Sequence, residues 1–417
     1  MRVRVLLSFE NFADFGGTET YTLTVARELE RLGHEVAIYS PNRAAMAELA
    51  RTQGVRVVGL NEVPRCAEVL ICSDAATCHD LADHCRGAVR IFVVHSVDYM
   101  LQAPPQLPDR CGAIVVLNDR VRRAVEARAW HAPIVRLRQP IELTRFEGLG
   151  TGADARTVLV MTNTVTGVRA ELIEEACRAN GLDVRWVGGT SEPTASPELA
   201  IAGTRAVIGL GRCALEAMAA GRATYVYGVI GGDGWVTPES YPAMEADGFA
   251  GTALPEVLID SARLADDLGR WDATMGQLNR DLVAARHTAR EHAVELINLA
   301  RTLEASRPVE LSHGEELAHL IRLQWQSDAR AIENLAEAER LRLLLAQANA
   351  ELAQSKARAV EAAAEADRLR TLLAQMEAAA RLANERLDAL QNTRRYRLAC
   401  RIASPLDRLR ARFGMTR

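Results

Sequence analysis

Short, uninterrupted apolar runs alternate with helical stretches through the first 230 residues, and no other feature of the sequence limits the fold so strongly. The runs are "VRVLLSF", "HEVAIYS", "VRVVGL", "EVLICSD", "VRIFVVHS" and "AIVVLN". Between several of them lie "TETYTLTVARELERLG", "NRAAMAELARTQ" and "ATCHDLADHC", which read as helices. A strand that is apolar throughout has no face for water, so it must be covered on both sides. Strands that alternate with helices pair in parallel. The predicted class is therefore α/β, built on doubly wound parallel sheets.

The rhythm breaks at 139–157, "QPIELTRFEGLGTGADART", whose glycines and lack of periodicity mark a linker. It restarts with "TVLVMTN", "RAELIEEACRANG", "VRWVGG", "RAVIGL", "ALEAMAAG" and "ATYVYG". The expected organisation is a first Rossmann-like domain at 1–148 and a second at 149–275. Closing helices and a linker follow at 276–330.

Beyond residue 330 the pattern changes again. "AERLRLLLAQ" from Ala338 returns as "ADRLRTLLAQ" from Ala366, an offset of four heptads. Apolar residues recur at two heptad positions from Leu341 to Leu390, which predicts a coiled coil over 331–393 and a parallel homodimer through it. The last segment, 394–417, carries eight arginines against one acid, Asp407. Leu398, Ile402, Leu406 and Leu409 recur in it at helical steps, interrupted by Pro405. A basic amphipathic tail of this kind reads as a contact for an anionic membrane surface.

Composition narrows the chemistry. The formal net charge is −4, so the whole molecule is not a binder of polyanions, and no nucleic-acid partner is expected. Lys356 is the sole lysine, so any phosphate site must use arginine, backbone N–H groups or a helix N-terminus. Cys66, Cys72, Cys78, His79, His84 and Cys85 cluster in sequence, but their spacing matches no compact zinc pattern. Small buried thiols beside a solvated helix face account for them, and no metal is expected. The N-terminal apolar run is too short for a signal peptide, and no stretch approaches the length of a membrane span. The expected place is the cytoplasm, with peripheral attachment at the inner membrane face.

Three loops fall where strands of a doubly wound sheet end and ligands bind. They are "FGG" (15–17), "HSVD" (95–98) and "GLGRC" (209–213). Glycine lets a backbone approach a ligand closely, and a helix N-terminus favours an anion. In "GVIGGDGWVTPESY", Asp233, Trp235 and Glu239 are further candidates for contact with a sugar.

"GGTETYTLTVARELERLGHEVAIYS", "RQPIELTRF" and "IGLGRCALEAMAAGRATYVYG" together resemble the GT-B glycosyltransferases of the family 4 type, in order and domain placement. The resemblance implies two Rossmann-type domains with a nucleotide-sugar donor between them, and no cofactor beyond that substrate. It implies that Glu216 accepts hydrogen bonds from the donor ribose, and that Gly209 and Gly211 present amides to the donor. It places Gly16 and Gly17 against the donor phosphates and His95 near the donor sugar. Ile208 stands where the family has a second glutamate, and the family's diphosphate lysine is missing. Arg169 or Arg212 is expected to take the lysine's role. The activity implied is transfer of a sugar, with retention and without metal, to a cell-surface polysaccharide or lipid-linked glycan acceptor. Two alternatives stay open: a catalytically degenerate GT-B protein that scaffolds a glycan-assembly complex, and a nucleotide-sugar epimerase.

Overall fold

A computed structural model of the chain describes residues 2–96, 100–107, 110–128, 130, 132–149, 156–188, 194–228, 231–254, 260–303, 313–392 and 397. The strands begin with β1 (Arg4–Ser8), β2 (Asn11–Phe12), β3 (Glu35–Tyr39), β4 (Asn42–Arg43) and β5 (Arg56–Val58). β6 (Val69–Cys72), β7 (Val89–Val94), β8 (Ala113–Val116) and β9 (Ile134–Arg136) follow. Seven of them form one sheet in the order β5-β3-β1-β6-β7-β8-β9, with every neighbouring pair parallel. β2 and β4 pair separately.

The second sheet contains β10 (Thr157–Met161), β11 (Asp183–Val187), β12 (Ala206–Gly209), β13 (Ala223–Tyr227) and β14 (Gly232–Trp235). Its order is β11-β10-β12-β13-β14, and only β14 runs antiparallel to its neighbour. Alternate residues of the apolar runs serve opposite faces, as a period of two requires. In the first sheet Leu7, Ile71, Val93 and Val115 line one core, and Leu6, Leu70, Phe92 and Ile114 the other. In the second, Leu159, Val207 and Val226 oppose Val158, Ile208 and Tyr225.

In each sheet the chain winds outward in both directions from a central strand, β1 in the first and β10 in the second. Such a reversal leaves a crevice at the strands' carboxyl ends. From β1 the chain passes through β2 and enters the helix Gly17–Arg31, which begins at that crevice.

The core of the first sheet is not supplied by residues 1–148 alone. The helix Ala289–Thr302 follows the second sheet in sequence, yet Ala293, Leu296, Ile297 and Ala300 pack with Leu29 and Val115. Two histidines fix the crossing. His287 Nδ1 lies 2.8 Å from the Gln139 carbonyl and its Nε2 2.8 Å from the Tyr241 hydroxyl. His292 repeats the arrangement with the Arg138 carbonyl and Tyr21, both at 2.8 Å. A carbonyl can only accept, so Nδ1–H donates to it. Burial pulls both imidazoles down to about 4, so near neutral pH they are uncharged and Nε2 accepts from the tyrosine hydroxyl.

A helix of 79 residues, Gly314–Asn392, begins inside the stretch read from sequence as closing helices and linker. Its first turns belong to the compact unit that ends at Asp328. There Ala318 is buried beside Ala76 and Leu101, and Arg322 donates to Glu10 at 2.8 Å and pairs with Asp80. Residues from Ala329 onward form a second unit. The basic tail 394–417 lies outside the described residues, Arg397 apart. Among the described residues no helix is long and apolar enough to cross a membrane. Cys72, Cys78 and Cys85 are buried in the first sheet's core, and the described residues hold no group of side chains placed for a metal.

Candidate functional site

A cleft of about 520 Å³ opens between the two sheets, at the carboxyl ends of β1, β10, β11 and β12. One wall is the start of the helix Gly17–Arg31, with Gly16, Gly17, Thr20 and Thr24. The other carries Met161 at the end of β10 and Thr162 after it, Gly188 after β11, and Arg212 and Glu216 on the helix Gly211–Ala219. Both sheets thus offer the ends at which doubly wound folds bind ligands.

Arg212 and Glu216 both line the cleft. They lie one turn apart, where side chains at i and i+4 meet. Arg212 Nε donates to Glu216 Oε1 at 2.9 Å. The same guanidinium donates to the Pro140 carbonyl and to Thr24 Oγ1, each at 3.1 Å. One side chain therefore ties the helix after β12 to the interdomain segment and to the helix after β1. Burial lowers the Arg212 pKa from its usual range, and the neighbouring Glu216 carboxylate opposes that shift.

The four glycines differ in what they do. Gly17 has open space where a Cβ would stand, and it lines the cleft. Gly16 makes room for Glu19, whose carboxylate would clash with such a Cβ. Burial, partly offset by a backbone hydrogen bond, raises the Glu19 carboxyl to about 7. Gly209 is set by packing, because a Cβ there would meet the Met161 carbonyl at 3.1 Å. Gly211 has φ +54°, a conformation that favours glycine. Its N–H donates to the Phe249 carbonyl at 2.8 Å. In this structure the amide read as a donor to a ligand is thus bonded to a neighbouring loop.

The other candidates stand back from the cleft lining. His95 contacts Ser73 Oγ at 3.2 Å and meets the Tyr21 ring edge-on at 4.6 Å between centroids. Burial, with Arg212 and His292 nearby, pulls it down to about 3, so it is a neutral imidazole. Arg169 donates to the Tyr227 hydroxyl at 3.0 Å and lies 5.7 Å from the centre of that ring. That hydroxyl takes one of the guanidinium donors, and Arg169 is not among the residues lining the cleft. Ile208 is fully buried with Val160 and Tyr225 on the face away from the Leu159 core. Asp233 accepts from the Leu254 N–H at 3.0 Å, and Trp235 donates to the Asp267 carbonyl at 2.7 Å. Both bond within the second domain, and neither they nor Glu239 line the cleft.

The cleft also gathers cations that the sequence reading missed. Arg27 donates to Glu142 at 2.8 Å, Arg31 shares that carboxylate, and Arg145 donates to Glu198 at 2.7 Å. Arg27 and Arg145 line the cleft itself. Arg27 and Arg31 are four apart on one helix, which was visible in sequence. Their convergence on Glu142, more than a hundred positions later, was not.

Residues 15–135 match the family model described as Glycosyltransferase Family 4. Structures of glycosyltransferases superpose on the chain. The chain has the GT-B glycosyltransferase fold. Anabaena HepE in complex with UDP and glucose superposes with TM-score 0.51 at 11% identity, covering 72% of this chain and 100% of that one. A glycosyltransferase from Rickettsia africae gives 0.51 at 12% identity, covering 72% and 98%. The complex of Anabaena HepE with UDP-glucose gives 0.50 at 10% identity, covering 72% and 100%. No curated protein matches the sequence. In this GT-B fold the first sheet and the helix Ala289–Thr302 form one half, the second sheet the other, and the cleft lies between them.

Proposed function

We propose that the protein transfers a sugar from a nucleotide-sugar donor to a cell-surface polysaccharide or lipid-linked glycan acceptor, with retention and without a metal. The observation that carries this reading is the position of Glu216, a carboxylate on the wall of the cleft between two GT-B halves. Glu216 accepts both ribose hydroxyls, since an ionised carboxylate can take two donors at once. Gly17 leaves room for the donor at the first turn of its helix, whose N-terminal dipole favours the diphosphate. Arg212, already beside Glu216, turns toward the diphosphate as ribose replaces it on the carboxylate. Positive charge at the departing nucleoside diphosphate stabilises the charge that develops there. His95 supports the site through Tyr21 as a neutral group. The basic tail 394–417 holds the protein to anionic lipid, where lipid-linked acceptors reside.

Turnover with a panel of nucleotide sugars and lipid-linked acceptors, with analysis of product configuration, tests the activity. A second reading, a GT-B protein that binds the donor without turnover, draws on Ile208 and on the Arg212–Glu216 pair, which occupies the carboxylate. Nucleotide binding with no product from any donor selects that reading. Flotation with anionic liposomes, comparing the full chain with one ending at residue 393, tests the tail.

A further inference from the structure

The second unit exposes an apolar seam along most of its length. Leu345 is 63% exposed and Met376 70%, with Leu352, Leu373, Leu387 and Leu390 exposed on the same heptad lines. A surface helix covers such a stripe in the core of its own domain or in a partner. In heptad terms Leu345, Leu352, Leu373 and Leu387 are a positions, and Leu341, Leu369, Met376 and Leu390 are d positions. Ala359, Ala362 and Ala366 fill the middle layers, which lets two backbones approach closely.

The flanking charges choose the partner and its direction. The g positions include Glu351 and Glu365, and the e positions Lys356 and Arg370. In a parallel pair, g of one helix faces e of the next heptad on the other. Glu351 then meets the partner's Lys356, and Glu365 the partner's Arg370. Symmetry doubles both contacts, and no like charges meet at the g–e flanks. An antiparallel pair with full overlap gains Lys356 against Glu377 but sets Glu365 against its own copy. The chain's sole lysine thus sits where a second copy presents an acid.

We infer that residues 341–390 form a parallel, in-register coiled coil with a second copy of this chain, held in register by Glu351–Lys356 and Glu365–Arg370 pairs across the seam. Ser355 is a d position, so in this register it faces its own copy. Ala364 is an f position, on the outside.

The test uses the full chain. Light scattering at micromolar concentration should give the mass of two chains. Mild oxidation should link Ser355→Cys into a covalent dimer beyond the level of the unsubstituted chain, and should leave Ala364→Cys unlinked. Glu351→Lys with Glu365→Lys places like charges at four contacts and should weaken association about tenfold. Mixing that variant with Lys356→Glu/Arg370→Glu should restore a two-chain species, with helix content by circular dichroism unchanged throughout. A one-chain mass, or a mass above two chains, overturns the dimer. A dimer that Ser355→Cys fails to link, or one indifferent to the charge reversals, overturns the parallel register.

Discussion

Arg212 Nε donates to Glu216 Oε1 at 2.9 Å, and both side chains are nearly buried, at 9% and 6% exposure. The pair is a helical i,i+4 contact, yet it sits where two sheets meet, so its energetics are those of a buried ion pair. Removing one member of such a pair leaves the other charge without its partner.

Replacing Glu216 by Gln should weaken binding of a nucleoside diphosphate, with UDP as the probe. The neutral amide gives up charge-assisted bonds to the ribose hydroxyls, each bond to a charged group contributing about 1.5–3 kcal/mol. Calorimetry should read a loss of about tenfold or more in affinity. An unchanged dissociation constant removes Glu216 from the donor site.

Arg212 and Arg169 should separate cleanly. Arg212→Ala should abolish the preference for UDP over uridine and lower unfolding stability by about 3 kcal/mol, because it strands Glu216 and unties Thr24 and Pro140. Arg169→Ala should leave the preference intact, since its guanidinium rests on Tyr227. Titration of both ligands against both variants, with urea unfolding alongside, checks the pair. An effect of Arg169→Ala as large as that of Arg212→Ala contradicts the assignment.

The glycines offer a contrast between room for a ligand and room for the fold. Gly17→Leu projects into the open cleft, so it should block UDP binding while the unfolding midpoint stays within the spread of surface substitutions. Gly209→Val drives methyl groups toward the Met161 carbonyl and Cys213. Overpacking of this kind costs about 1–3 kcal/mol. Thermal unfolding and calorimetry on both variants should show the two effects on different axes.

The crossing histidines set a pH dependence. His292 has its folded pKa lowered to about 4 by burial, while the unfolded chain titrates near 6.5. The unfolded state therefore binds more protons across that window, and stability falls as pH drops from above 6.5 toward 4. At pH 5 the loss from this one group is about 2 kcal/mol relative to pH 7. Glu19 and Asp74, both raised to about 7 by burial, act in the opposite sense. They are common to the native chain and to His292→Gln, so the difference between the two proteins isolates the imidazole. Urea unfolding at pH 7 and pH 5 should show the native chain losing about 2 kcal/mol more than the variant. Equal losses remove His292 as the source.

The ten strands on apolar runs, the parallel pairing among them and the long helix were legible in sequence, because each rests on a local period of apolar residues, whereas β2, β4, β9 and the antiparallel β14 lie outside those runs. Continuous apolar runs specify strands buried on both faces wherever they occur in the chain. The heptads likewise mark their own helix. The cleft position of Gly17 and Glu216 was legible through resemblance, since motif order carried it. What sequence did not carry were contacts made by distant segments. Nothing local to "AREHAVELINLA" says that it completes the first sheet's core, or that His287 and His292 grip the carbonyls of Gln139 and Arg138. Likewise nothing local to either residue says that the Phe249 carbonyl accepts from the Gly211 N–H, or that Arg169 donates to the Tyr227 hydroxyl. Periodicity determines which face of a segment is apolar. Only tertiary packing decides which polar group, far along the chain, arrives to satisfy a given donor, because that partner is selected by geometry between elements and leaves no period in the sequence.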